Sequence, residues 1–209
     1  MPVIAVVNPK GGVGKTTLAT NLAGYFAATG QSAMLGDFDE QQSARHWLGL
    51  RPTNAAAIQT WELSSGIAKP PKGVTHVVLD TPAAMQKKFI ADVVRVADKI
   101  LVPLQPSMFD VLATGAFLKD LEAIFKSSKT SKVFRSTVGI VGMRVDARTK
   151  AAEQLERFVG GLELPVAAYL RDTQNYVHLA AHGLTLFDVP ASRVDKDVSS
   201  WQPLIKWVS

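Results

Sequence analysis

The sequence predicts an α/β fold in which a mainly parallel, twisted sheet is covered by helices on both faces. Three observations carry that reading. Short β-branched apolar runs alternate along the chain with longer segments of helical period, the order expected of successive strand–helix–strand units. The strand runs are almost continuously apolar, as strands buried on both faces require. The chain has 209 residues at 47% hydrophobic content, enough for one sizeable core, and no internal repeat or low-complexity tract, so a single domain over 1–209 is expected.

Residues 3–7, Val-Ile-Ala-Val-Val, form the first strand, and residues 15–28 the first helix, with Gly30 placed where a left-handed stop belongs. A second strand over 32–36 leads into a helix over 41–50. Pro70-Pro71-Lys72-Gly73 is a turn, too short for a linker between two cores, and it feeds a third strand at 76–79. Then come a helix over 86–97, a strand over 99–104, a helix over 111–126, a strand over 138–142 and a helix over 149–158 that stops at Gly160-Gly161. Beyond Pro165, residues 166–170 read as a short strand, 173–182 as a helix and 194–207 as a terminal helix broken or shortened at Pro203.

Composition narrows the chemistry. There is no cysteine, which excludes disulfides, thiolate metal sites and cysteine nucleophiles. No secretory signal and no apolar run of membrane-spanning length appears, so a cytoplasmic location is expected. The formal charge is +5, and it is unevenly placed. Between Lys126 and Lys150 there are seven bases (Lys126, Lys129, Lys132, Arg135, Arg144, Arg148, Lys150) against the single acid Asp146, a local +6 that leaves −1 for the rest of the chain. Such a stretch is either a solvated surface or a site for an anionic partner.

The sharpest motif is Pro9-Lys10-Gly11-Gly12-Val13-Gly14-Lys15-Thr16-Thr17, directly after the first strand and directly before the first helix. Glycines let the backbone curl so that successive N–H groups face phosphate oxygens, and the helix adds its positive end. Lys15 then reaches the outer phosphates, and the Thr16 hydroxyl is suited to Mg²⁺. The fold class is thereby refined to P-loop NTPase-like. Where the general pattern starts with glycine, this chain has Pro9, followed by a second lysine, Lys10.

That substitution is the deviant Walker A motif, and with it the sequence resembles the ParA/MinD family of P-loop ATPases. The resemblance implies ATP/ADP and Mg²⁺ as ligands, with Lys10, Gly11, Gly12, Val13, Gly14, Lys15, Thr16 and Thr17 forming the nucleotide cradle. It implies that Lys10 reaches across an ATP-dependent homodimer to the partner's phosphates. Asp37-Phe38-Asp39-Glu40-Gln41 and Asp80-Thr81-Pro82-Ala83 follow the second and third expected strands and are similar to the family's D-x-D-P-Q and D-T-P-P signatures. By that match Asp37 and Asp80 act on Mg²⁺, and Asp39 joins Lys10 and Lys15 as a catalytic residue. Glu40 and Ala83 depart from the prolines usual there. Each acid has an alternative role as a helix cap.

Pro103-Leu104-Gln105-Pro106-Ser107 through Asp110 resembles the family's P-x-x-P-S-x-x-D segment near the dimer interface. Met143-Arg144 stands where many relatives carry an adenine-contacting asparagine. His178 and His182 are four apart without a carboxylate partner, and are read as surface or packing residues rather than metal ligands. The resemblance extends, more weakly, through Ala168 to Thr173 and Tyr176.

In partition ATPases of this family the ATP-bound dimer binds DNA without sequence preference, and a centromere-binding adaptor protein stimulates hydrolysis. The basic stretch fits such a role, with Lys126, Lys129, Lys132, Arg135, Arg148, Lys150 and Arg171 as DNA-binding candidates. The expectation is a plasmid or chromosome partition ATPase. The alternatives are a ParA-like positioner of a protein cargo and a MinD-like membrane-surface ATPase anchored by residues 201–208; a membrane role is not expected, because Pro203 interrupts the expected helix and Lys206 is the only cation among the last ten residues. The phosphate loop lies so near Met1 that no helix-turn-helix domain is expected upstream.

Overall fold

The structure, a computed structural model, describes residues 2–61, 72–128 and 130–209. Lys129, and the first half of the turn expected over 70–73, lie outside the described residues. The elements run β1 (Val3–Val6), α1 (Lys15–Ala28), β2 (Ala33–Asp37), α2 (Ser43–Leu50), β3 (Ile58–Trp61), β4 (His76–Asp80), α3 (Lys87–Val96), β5 (Lys99–Leu104), α4 (Met108–Ser127), α5 (Phe134–Thr137), β6 (Val138–Val145), α6 (Lys150–Gly160), β7 (Val166–Arg171), α7 (Asn175–Ala180) and α8 (Ala191–Val208).

The strands form one seven-stranded sheet in the order β3-β2-β4-β1-β5-β6-β7, and every pairing is parallel. Because side chains alternate across a strand, the first run splits its apolar residues between two cores. Val3, Ala5 and Val7 join the layer with Val93, Phe117, Leu121 and Leu155; Ile4 and Val6 join the layer with Leu18, Leu22, Trp47, Trp201 and Leu204. The expected helix–sheet–helix sandwich is therefore present. β1 is flanked by β4 and β5, so the chain order reverses direction beside it, and the loop after β1 opens at such a switch point, where α/β sheets place their ligands.

Three expectations need correction. β3 was not anticipated: it is an edge strand with Gln59 and Thr60 exposed and only Trp61 buried, so it lacks the apolar signature of the inner strands. Asp80 consequently ends the fourth strand and not the third. The terminal helix is not broken at Pro203; α8 runs through it, and the non-helical residue is Val194 (φ −134°, ψ 19°). Proline removes one backbone donor, but burial of Trp201, Leu204, Ile205 and Val208 outweighs that loss. The apolar face of α8 is thus spent on the core. Among the described residues no helix is long and apolar enough to cross a membrane.

Candidate functional site

The phosphate loop bridges β1 and α1, and its glycines adopt the conformations the motif requires. Gly12 (φ +76°) and Gly14 (φ +95°) lie in the left-handed region. Gly14 is the N-cap of α1 and has no side chain to satisfy the first helical N–H groups, which leaves them for an anion. Asn8, fully buried, fastens the start of the loop: its Oδ1 accepts from the Lys10 N–H (2.9 Å), and its Nδ2 donates to the Pro103 carbonyl (2.8 Å) and the Thr114 hydroxyl (3.0 Å). Gln105 Nε2 donates to the Gly12 carbonyl at 2.8 Å from the end of β5. Neither contact was legible in the motif, because each partner lies more than 90 residues away.

Lys15 is buried and folds back across the loop, its Nζ donating to the Lys10 carbonyl at 2.9 Å. Burial draws its pKa below the ordinary lysine value, opposed by the charges of Asp80 and Asp39. Thr16 Oγ1 donates to Asp80 Oδ2 at 2.7 Å. Thr17 accepts at its carbonyl from Asn21 Nδ2 (2.9 Å), and Val13 is fully buried. Lys10 is 45% exposed at its side chain, and its Nζ stands 3.8 Å from Asp110 Oδ1 in the first turn of α4. Asp110 therefore meets a cation as well as a helix start.

The three acids converge. Asp37 and Asp80 are register partners at the ends of β2 and β4. Asp80 is 1% exposed, and its pKa is raised to about 7, chiefly by burial and further by Asp37 and Asp39, while the Thr16 hydrogen bond and Lys15 oppose the shift. Its Oδ1 is buried without a hydrogen-bond partner. A carboxylate oxygen left free beside a threonine hydroxyl, with remaining positions available to phosphate and water, is the hard oxygen set that Mg²⁺ takes. The residues present therefore fit that ion. Among the described residues no group of three His, Cys, Asp or Glu is arranged for a metal; His182 Nδ1 instead meets the His178 carbonyl at 2.8 Å.

Asp37 uses both oxygens locally: Oδ1 accepts from the Asp39 N–H (2.9 Å) and Oδ2 from the Arg45 N–H (3.0 Å). It thus caps α2 from outside, replacing the side-chain cap that Gln42, at φ +48°, does not supply. Asp39 Oδ1 accepts from the Gln41 N–H at 2.9 Å, closing the same turn. The capping alternative is realised for Asp37, in a place that also touches the charge balance of Asp80.

Beside the loop opens a cavity of about 450 Å³ lined by Val13, Gly14, Thr17, Met143, Arg144 and, from the far end of the chain, Asp172, Thr173, Gln174, Tyr176 and Val177. Arg144 is held at φ +52°, a conformation that costs a non-glycine residue about 1–2 kcal/mol. The resemblance reaches Asp172, Thr173 and Tyr176 of this far wall but does not point to a place beside the phosphate loop; only the parallel placement of β7 at the sheet edge brings them round.

Most of the basic candidates have partners. Lys126 pairs with Glu122 (2.9 Å), Arg135 with Glu163, Arg148 with Asp146 (2.8 Å) and Arg171 with Asp197 (2.6 Å). Lys132 donates to the carbonyls of Ala97 (2.6 Å) and Arg95 (2.9 Å) at the end of α3, and burial lowers its pKa. Lys150 alone of the described candidates has no carboxylate or carbonyl partner. Two acids from outside the 126–150 stretch, Glu122 and Glu163, thus each offset one of its charges, whereas Asp146 already belongs to the +6 and the carbonyls that meet Lys132 carry no charge.

The chain is similar to the maintenance of carboxysome distribution protein A of Gloeobacter kilaueensis, at 30% identity over 88% of this chain and 83% of that relative. It is similar to the chromosome-partitioning ATPase Soj of Thermus thermophilus, at 26% identity over 73% of each. Its fold matches a chain of the MinC:MinD cell division protein complex of Aquifex aeolicus with a TM-score of 0.73, at 18% identity over 100% of this chain and 94% of that one. Residues 4–186 match the model of the CobQ/CobB/MinD/ParA nucleotide binding domain, and the chain belongs to that family.

Proposed function

We propose that the protein is a Mg²⁺-dependent, ATP-switched partition ATPase. The carrying observation is the buried Asp80 carboxylate, bound by Thr16 through one oxygen, free at the other, and adjacent to Lys15. In this reading the N–H groups of Gly11 to Thr17 and the Lys15 ammonium hold the phosphates, and Thr16 and Asp80 hold the ion, with Asp37 nearby. The ion, when bound, neutralises charge on the phosphate oxygens. Asp39 orients the attacking water. Lys10, exposed on the loop, leaves Asp110 to reach the phosphates of a second copy, so ATP binding drives homodimerisation.

The dimer would bind DNA without sequence preference in a cytoplasmic, nucleoid-associated state, and a centromere-binding adaptor would trigger hydrolysis and release. Lys150 and the paired bases around it are the DNA candidates. The test is binding to unrelated duplexes across a salt series with ATP and with ADP. Binding in the ATP state alone, weakening steeply with salt, is expected; equal or absent binding in both states sinks the DNA role. Turnover by Asp39→Ala, with binding measured separately, tests the water-orienting role: unchanged turnover removes it.

A second reading makes the cargo a protein assembly. The similarity to the carboxysome distribution protein over most of both chains favours it. Tracking a fluorescent fusion separates the two: co-migration with a DNA locus supports partition, and co-migration with a protein body supports cargo positioning.

A further inference from the structure

We propose that Asp197, on α8, is a positioning residue for nucleotide binding, fixing the cavity wall that receives the nucleoside end of the ligand. The proposal rests on the nucleotide reading above and adds to it a residue far from every motif. Asp197 is 2% exposed, and a buried carboxylate persists only when its charge is compensated. Its compensation comes from one short segment. Oδ1 accepts from Arg171 Nη1 at 2.6 Å; Oδ2 accepts from Asn175 Nδ2 at 2.6 Å and from Thr173 Oγ1 at 3.3 Å. These donors are the last residue of β7, a residue of the connecting loop and the first residue of α7.

The carboxylate therefore closes around residues 171–175, and the segment it gathers includes Asp172, Thr173 and Gln174, which line the cavity opposite Gly14 and Thr17. One helical turn on, Trp201 Nε1 donates to the Tyr176 hydroxyl at 2.8 Å, and Tyr176 lines the same wall. Asp197 and Trp201 are four apart, so one face of α8 holds the wall at two points. Their shares differ. Trp201 is fully buried among core residues that anchor the helix, whereas every hydrogen bond of the Asp197 carboxylate goes to the wall segment. Its loss loosens the wall and leaves the packing of α8 in place. The phosphate loop is held separately by Asn8 and Gln105, so it does not depend on Asp197.

The test compares Asp197→Asn with wild type in equilibrium binding of Mg²⁺-ATP and of Mg²⁺-tripolyphosphate, which offers phosphates without a nucleoside. Asparagine keeps the size but turns an amide NH₂ toward donors. The Kd for ATP should rise on the order of tenfold, the scale on which supporting hydrogen bonds tune a bound site, while the Kd for tripolyphosphate stays unchanged. Asn175→Ala, which removes one of the three bonds, should shift ATP binding in the same direction by less, and it decides the matter if Asp197→Asn does not fold. An unchanged Kd for ATP, or equal losses for both ligands, overturns the positioning role. Wild type binding ATP no more tightly than tripolyphosphate overturns the reading of the cavity itself, and wild type binding neither overturns the nucleotide reading beneath it.

Discussion

Thr16 and Asp80 join the first turn of α1 to the end of β4 through a 2.7 Å hydrogen bond across 64 residues of sequence. This bond satisfies one oxygen of a carboxyl group whose other oxygen is buried and unpartnered. Its pKa, raised from 3.8 to about 7, means that the ligand-free folded state holds a proton the unfolded chain has released. In that window the folded state binds more protons than the unfolded state, so stability falls as pH rises from about 4 to about 7. At 1.36 kcal/mol per unit the loss reaches at most about 4 kcal/mol. Chemical denaturation across pH should show that slope in wild type and lose it in Asp80→Asn. Mg²⁺-nucleotide affinity should run the opposite way, rising with pH, because the ion binds the ionised carboxylate.

Asp37 caps α2 through the Arg45 N–H and closes the preceding turn through the Asp39 N–H. Asp37→Ala should therefore destabilise the protein by about 1–2 kcal/mol even without nucleotide. A urea midpoint measured on the ligand-free protein checks this. An unchanged midpoint would leave Asp37 with a ligand role alone.

Arg51 and Asp188 form a two-bond ion pair at 2.9 and 2.7 Å, with side chains only 6% and 3% exposed. It ties the end of α2 to the segment before α8. Removing either partner leaves a buried charge unpaired, so Arg51→Met or Asp188→Leu alone should cost about 3–5 kcal/mol. The double variant should cost less than the sum, and a double-mutant cycle by denaturant titration measures the difference.

If the protein binds DNA, its bases should contribute unequally. Lys150 has no carboxylate partner, whereas Arg148 is held by Asp146, whose pKa that contact depresses to about 2. Lys150→Ala should lower the slope of log affinity against log salt by about 1, and Arg148→Ala by less. Equal slopes for the two variants would show that the Asp146 pairing opens on binding.

How far the chain could be read beforehand follows from distance along it. The phosphate loop is one contiguous run of glycines, lysines and threonines between an apolar strand and a helix, so its conformation is encoded where it stands. The inner strands, apolar on both faces, and the acids at their ends were legible for the same reason. β3 was not, because an edge strand with Gln59 and Thr60 in solvent carries no such pattern. The sequence by itself determined the layered α/β class, the loop and the positions of Asp37, Asp39 and Asp80. Only the tertiary structure decided that Asn8 and Gln105 hold the loop, that Asp197 gathers the cavity wall and pairs with Arg171, and that Glu122 and Glu163 offset two charges of the basic stretch. Hydrogen bonds and ion pairs depend on proximity in space, and the packing of α8 and α6 against the sheet sets that proximity.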